Sequence, residues 1–160
     1  TALGEKLRLL LLNEPMTRDC EALLMFAARR EHLELVVRPA LARGDWVVCD
    51  RYYDSTRAYQ VAAGGLAPAA LDALNVLIHA PAPDVTLICD IDPEAGLARS
   101  RGAHAGEDRF ERKDAAFHKR VRDEFLAIAK REPWRCEVID ATQTPPEMLT
   151  AALAAIEART

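Results

Sequence analysis

The sequence predicts an α/β fold, a parallel sheet covered by helices on both faces, on three observations. Short apolar runs alternate with longer stretches of helical periodicity, each run ends in an aspartate, and Pro, Gly and Asp stand where elements should begin and end. With 160 residues the chain is one domain's worth, 1–160, with no internal repeat, low-complexity segment or domain boundary in its sequence.

Leu3, Leu7, Leu10 and Leu11 recur at helical spacing, predicting a first helix over about 3–12. Asn13 to Cys20 is a polar break containing Pro15. A long helix then follows from near Asp19 to Ala42, with Leu23, Leu24, Ala27, Leu33 and Val37 as its apolar face and Pro39 as a kink or local stop. Arg43-Gly44-Asp45 is a turn, and the apolar run after it, ending in Asp50, predicts a buried strand over 46–50. A helix over about 68–79 precedes a second strand, 84–90, ending in Asp90. Pro93 and Glu94 open another helix, because Pro fits a first turn whose N–H groups lack partners anyway. A charged, Gly-containing loop follows, then a helix over 115–130, a third strand over 136–140 ending in Asp140, and a last helix from Pro145. Parallel sheets of this kind take ligands at the carboxyl ends of their strands, where Asp50, Asp90 and Asp140 stand.

Composition narrows the function. Against 21 Lys and Arg stand 25 Asp and Glu, a net charge of −4, which excludes a general nucleic-acid binder and makes any basic site local. No apolar run approaches the length of a membrane span and no signal peptide opens the chain, so a cytoplasmic protein is expected. Cys20, Cys49, Cys89 and Cys136 form no CxxC pair and no Cys/His zinc spacing. Cys49, Cys89 and Cys136 lie in strand-like runs and read as buried, reduced thiols. The four histidines are scattered and read as surface or packing residues.

Two segments can carry chemistry. In Asp50-Arg51-Tyr52-Tyr53-Asp54-Ser55-Thr56-Arg57-Ala58-Tyr59-Gln60 an acid and a base leave a strand together. Asp50 suits a hydrated Mg²⁺ and Arg51 offers the planar fork that matches phosphate oxygens. Thr56 and Gln60, four apart, share a helical face and can reach the polar edge of one base. In Leu24-Met25-Phe26-Ala27-Ala28-Arg29-Arg30, Phe26 and Arg30 are four apart, a geometry for stacking a base while donating to its carbonyl. The plain alternatives are a strand-end salt bridge for the first, and a core phenylalanine with a solvated arginine for the second.

Together with TALGEKLRLLLL, GDWVVCDRYYDSTRAYQ, PDVTLICDIDPEAGLAR, EDRFE and VIDA, in that order and spacing, these segments resemble the thymidylate kinases over essentially the whole chain. The stretch DRYYDSTRAYQ is the most specific. The resemblance implies a three-layer α/β/α nucleoside monophosphate kinase fold, phosphorylation of dTMP with ATP and Mg²⁺, and a homodimer. It implies that Phe26 stacks on thymine, that Arg30, Thr56 and Gln60 read its polar atoms, and that Arg51 grips the dTMP phosphate. It implies further that Asp50 stands near the magnesium, through water, that Tyr59 presses on the deoxyribose, and that Arg8 lines the acceptor pocket. The loop over about 99–112 resembles the family's lid, with Arg101 and Arg109 as its phosphate-clamping arginines. The stretch Asp140-Ala141-Thr142-Gln143 resembles the family's loop beside the adenine of ATP, which implies that Ala141 and Gln143 border that base. The resemblance implies that the dimer forms through helices adjoining the acceptor site; the apolar faces around Leu33 and Leu71 can serve there or can equally be core.

The family's Gly-rich phosphate loop, GxxxxGK[ST], does not occur in these residues; the lysines, Lys6, Lys113, Lys119 and Lys130, all lack that context. The resemblance starts inside a family motif at Thr1. The reading is therefore of a chain without the first two strands and the phosphate loop, roughly 40 residues at usual element lengths, able to hold dTMP but not to transfer phosphate by itself. A catalytically inactive nucleotide-binding or dimerisation module and a deoxynucleoside kinase on the same fold are the alternatives.

Overall fold

The structure, a computed structural model, describes residues 1–103 and 113–159, with the backbone alone over 101–103. The chain divides into two compact units, Thr1–Pro81 and Ala82–Thr160.

The first unit is helical. Helix α1 (Ala2–Asn13) starts where the Thr1 hydroxyl accepts from the Gly4 N–H, and it packs on α2 (Arg18–His32). Helix α2 buries Ala22 and Phe26, while Leu23 and Ala27 face outward, so the apolar face lies about a residue away from the expected one. The long helix expected over 19–42 exists, and its accommodation of Pro39 is visible. Over Leu33–Val37 the hydrogen-bond register widens to a π-helical turn, with the Arg38 N–H on the Leu33 carbonyl. The α-register resumes in α3 (Arg38–Ala42), which has Pro39 in its first turn, where the missing N–H leaves no bond broken. Gly44, at φ +80°, makes the expected turn.

Residues 46–49 have no regular secondary structure and form no ladder with any described segment, so the strand expected over 46–50 is not one. A strand is defined by paired neighbours, and an apolar run supplies only the tendency. Val48 is 96% exposed and Trp46 71%, contrary to the burial expected there. Helix α4 (Tyr53–Thr56) passes into a second π-helical turn, Arg57–Ala62. That turn closes at Gly64-Gly65: a Cβ at Gly64 would stand 2.7 Å from the Gln60 carbonyl oxygen, and Gly65 has φ +80°. Helix α5 (Pro68–Leu77) completes the unit, and arginines from the α2–α3 stretch tie down its C-terminal end. Arg30 Nη1 donates to the Ile78 carbonyl (3.1 Å) and Arg38 Nη2 to the His79 carbonyl (2.9 Å). Phe26, Leu33, Val37, Leu71 and Ile78 form the core. Each such side chain contributes about 1.5–3 kcal/mol by leaving water.

In the second unit β1 (Thr86–Asp90) and β2 (Cys136–Asp140) pair in parallel, from Thr86 opposite Cys136 to Asp90 opposite Asp140. Both run within the segments the sequence predicts. Helix α6 (Pro93–Ala103) starts at its expected proline, and α7 (Ala115–Arg131) and α8 (Pro145–Glu157) follow as expected. Ile88, Ile128 and Cys136 form the core between strands and α7. Cys49 and Cys89 are exposed and only Cys136 is buried, which corrects the expectation for the first two. Alternation along β1 turns Ile88 inward and therefore Cys89 outward.

Candidate functional site

In the first unit the side chains that converge are those of α2, Tyr52, Thr56 and Gln60. Thr56 and Gln60 are fully or nearly fully buried, four residues apart on the α4–π stretch. From α2, Arg29 Nη2 donates to Thr56 Oγ1 at 3.1 Å, and Glu21 Oε1 accepts from Gln60 Nε2 at 2.8 Å. The Arg29 guanidinium lies 4.6 Å from the ring centre of Phe26 and 5.3 Å from that of Tyr52, within cation–π range of both. Burial pulls the pKa of Arg29 below its ordinary value, opposed by Tyr52, Cys49 and Asp54. Burial likewise pushes the Tyr52 phenol up to about 12, with Arg29 working against it, so the phenol is neutral and able to donate.

Three buried polar atoms of this cluster have no partner among the described residues: Arg29 Nη1, Gln60 Oε1 and Tyr52 Oη. An unpaired buried polar group costs about 1–3 kcal/mol. Several in one cluster mark a place where something else completes the bonding.

The sequence expectation is met in part. Thr56 and Gln60 are brought together, as the four-residue spacing predicts. Phe26 is 2% exposed and belongs to the core, with Arg29 over its ring, rather than presenting an open face. Arg30 is turned away: it donates to the Ile78 carbonyl and pairs with Glu34 at 2.8 Å. The arginine at Thr56 is Arg29, which sequence reasoning passed over. The signal was available, because Phe26 and Arg29 are three apart and so share a helix face as closely as Phe26 and Arg30 do. Glu21, buried at the first turn of α2, was also missed.

Asp50 and Arg51 are exposed, just after the unpaired run 46–49. Arg51 has φ +61°, the left-handed region that a side chain adopts at a cost of about 1–2 kcal/mol. Its guanidinium lies 5.0 Å from the ring centre of Tyr59. Arg8 is exposed on α1.

In the second unit the strand-end aspartates are engaged. Arg122 clamps Asp90 with two bonds, 2.7 and 2.8 Å, and Asp140 Oδ1 accepts from the hydroxyl and the N–H of Thr142. Ala141 is buried, its N–H on the Asp90 carbonyl and its carbonyl accepting from Arg99 Nη1 at 2.9 Å. Arg99 thus lies in α6 rather than in a loop. Gln143 is exposed beside a cleft of about 480 Å³ between β2 and α8. Arg101 falls in the last turn of α6, where only the backbone is described, and Arg109 lies outside the described residues.

This unit also carries a pH dependence. Asp90 is held below the ordinary carboxylate range chiefly by the Arg122 hydrogen bonds, Asp140 by those of Thr142, and Glu147 by those of Thr144. A carboxyl with a depressed folded pKa adds stability that is complete above its unfolded value, about 3.9–4.3. That stability is lost as pH falls through the lower folded value. The thermal midpoint is therefore expected to drop on acidification below about pH 4, and Asp90→Asn should flatten the drop. Scanning calorimetry from about pH 6 to pH 2.5 checks this; equal slopes for the two proteins would contradict it.

A family model described as thymidylate kinase matches residues 1–152. The thymidylate kinase of Burkholderia lata is 51% identical over 149 residues, which is 92% of this chain and 72% of that protein. That of Alcanivorax borkumensis is 49% identical over 160 residues, covering 98% of this chain and 76% of its own length. Among solved structures, the thymidylate kinase from Ehrlichia chaffeensis superposes with a TM-score of 0.75 at 33% identity, over 98% of this chain and 75% of that one. The fold is therefore that of the nucleoside monophosphate kinases, and this chain belongs to the thymidylate kinase family.

Proposed function

We propose that these residues form the acceptor-binding part of a thymidylate kinase, which moves a phosphoryl group from ATP to dTMP and yields dTDP for dTTP synthesis. The observation that carries the acceptor assignment is the pair of unpartnered buried atoms, Arg29 Nη1 and Gln60 Oε1. One is a donor and the other an acceptor. A thymine edge offers their complement, a C4 carbonyl that accepts and an N3–H that donates. A cytosine edge has the opposite polarity and would leave both unpaired. Arg29 takes the role that spacing alone gives to Arg30, and Phe26 serves as the platform beneath Arg29.

Arg51 holds the dTMP phosphate, its strained backbone presenting the guanidinium while the Tyr59 ring supports it. Tyr59 also borders the deoxyribose, and Arg8 lines the pocket mouth. Among the described residues no three His, Cys, Asp or Glu side chains gather to cage a metal. The chain fits Mg²⁺ only as that ion is commonly held, by one carboxylate, here Asp50 through water, together with substrate phosphates. Bound there, the ion would offset charge on the transferring phosphoryl group. Arg101 and Arg109 remain the lid arginines of this reading, and Ala141 and Gln143 the adenine border. A homodimer belongs to the same reading. Leu33 and Leu71, each 1% exposed, are core, so the faces available to it are those of exposed side chains such as Leu35 and Val36.

Steady-state ATP consumption tests the activity, measured on a protein that joins these residues to a Gly-rich phosphate loop. Turnover is expected with dTMP and only background with thymidine or without acceptor. Equal turnover with thymidine would overturn the assignment.

A further inference from the structure

Gln60 can read a base in either of two senses, because its side-chain amide carries an acceptor at one corner and two donors at the other. A half-turn about its last torsion exchanges them at almost no steric cost. Which corner faces the pocket decides whether the site prefers a base edge that donates or one that accepts. Something must hold the amide still.

Glu21 is the group placed to do so. It lies in the first turn of α2, 6% exposed, with Oε1 2.8 Å from Gln60 Nε2. A carboxylate has only acceptors, so it can bond the NH₂ corner and repels the oxygen corner. Gln60 is itself 3% exposed, and its Oε1 is left buried without a partner among the described residues. The π-helical turn that carries Gln60 is closed by the Leu66 N–H on the Gln60 carbonyl at 2.7 Å, so the backbone is also held.

We infer that Glu21 is a specificity-determining positioning residue: it locks the Gln60 amide with its oxygen toward the acceptor pocket and so sets the preference for a 4-keto over a 4-amino pyrimidine. The inference rests on the acceptor-pocket reading above. Glu21 makes no contact with the base in this account. Its effect passes through the orientation of one amide, so it belongs to selectivity more than to affinity.

The test is calorimetric titration of the full chain with dTMP and with dCMP, on wild type and on Glu21→Gln. A glutamine at 21 can bond either corner of Gln60, so the lock is lost with little change of volume. The ratio of dCMP to dTMP dissociation constants is expected to fall by ~10-fold or more, most of it through tighter dCMP binding. The exchange variant Glu21→Gln/Gln60→Glu restores an acceptor-only group at the pocket, held by the amide of residue 21, and should recover the dTMP preference. A role in folding alone would lower both affinities together and would not be rescued. An unchanged ratio in Glu21→Gln would overturn the inference.

If neither variant folds, wild type answers by NMR. The Gln60 side-chain amide protons should be protected from exchange both before and after dTMP binding, because they stay on Glu21. Protection that appears only with dTMP would show that the NH₂ corner faces the ligand, and would overturn the inference. Gln60→Ala separates the two layers. If it leaves dTMP affinity intact, the pocket reading fails. If it weakens dTMP binding while Glu21→Gln keeps the ratio, only the positioning role fails.

Discussion

Arg29→Ala is expected to weaken dTMP binding by ~10²–10³-fold, whereas Arg30→Ala should leave it within about threefold. Arg29 is half-buried, bonds Thr56 at 3.1 Å, and holds a second, buried donor corner with no partner among the described residues. Hydrogen bonds from a charged donor contribute about 1.5–3 kcal/mol each, and here one would meet the base while the other orients Thr56. Arg30 is about 40% exposed at its side chain and is already committed to the Ile78 carbonyl and Glu34. Its loss should appear as a small destabilisation, about 0.5–1.5 kcal/mol. Arg29→Lys keeps the charge without the fork and should fall between wild type and alanine. Calorimetry with dTMP, accompanied by thermal melts of each variant, checks the order. Equal losses for the two alanine variants would return the base-reading role to Arg30.

The second large effect concerns Arg51, where backbone and ligand make opposite demands. At φ +61° an alanine carries the same strain as arginine, while glycine carries none. Arg51→Gly should therefore be more stable than Arg51→Ala by about 1 kcal/mol, the reverse of the usual order of these residues. Both variants should bind dTMP at least ~10-fold more weakly, since a charge-assisted phosphate contact is lost. Thymidine, which lacks the phosphate, should bind both as it binds wild type. Denaturant melts and paired titrations measure the two effects separately. If glycine proved no more stable than alanine, residue 51 would be unstrained; unchanged dTMP affinity would remove it from the phosphate site.

Much of this arrangement is legible in the sequence, for physical reasons that can be named. The helices from Ala2, Pro68, Ala115 and Pro145 follow from apolar periodicity and from proline or a capping residue at their starts. The strands ending at Asp90 and Asp140 follow from short apolar runs between turn signals. The run over 46–50 carries the same local signal, but a ladder needs a neighbour, and no described segment pairs with it. The site is half legible. Thr56 and Gln60 share a face because of their spacing, whichever way the helix turns. The arginine is not fixed in that way, because Phe26 has helix neighbours at both Arg29 and Arg30. The core decides between them: Phe26 packs on Leu33 and Leu71, Arg29 lies across its ring, and Arg30 reaches the end of α5. Glu21 gives no sequence signal at all, since an acidic residue in a first helical turn is ordinary.

On the reading proposed above, the thymine edge of dTMP completes the Arg29–Thr56–Gln60–Glu21 cluster, and a crystal structure of the chain with dTMP decides it. Arg29 Nη1 is expected within hydrogen-bond distance of the base O4 and Gln60 Oε1 within that distance of N3, with Glu21 still on Gln60 Nε2. A base bound elsewhere, with Arg29 Nη1 and Gln60 Oε1 still unpartnered, would contradict it.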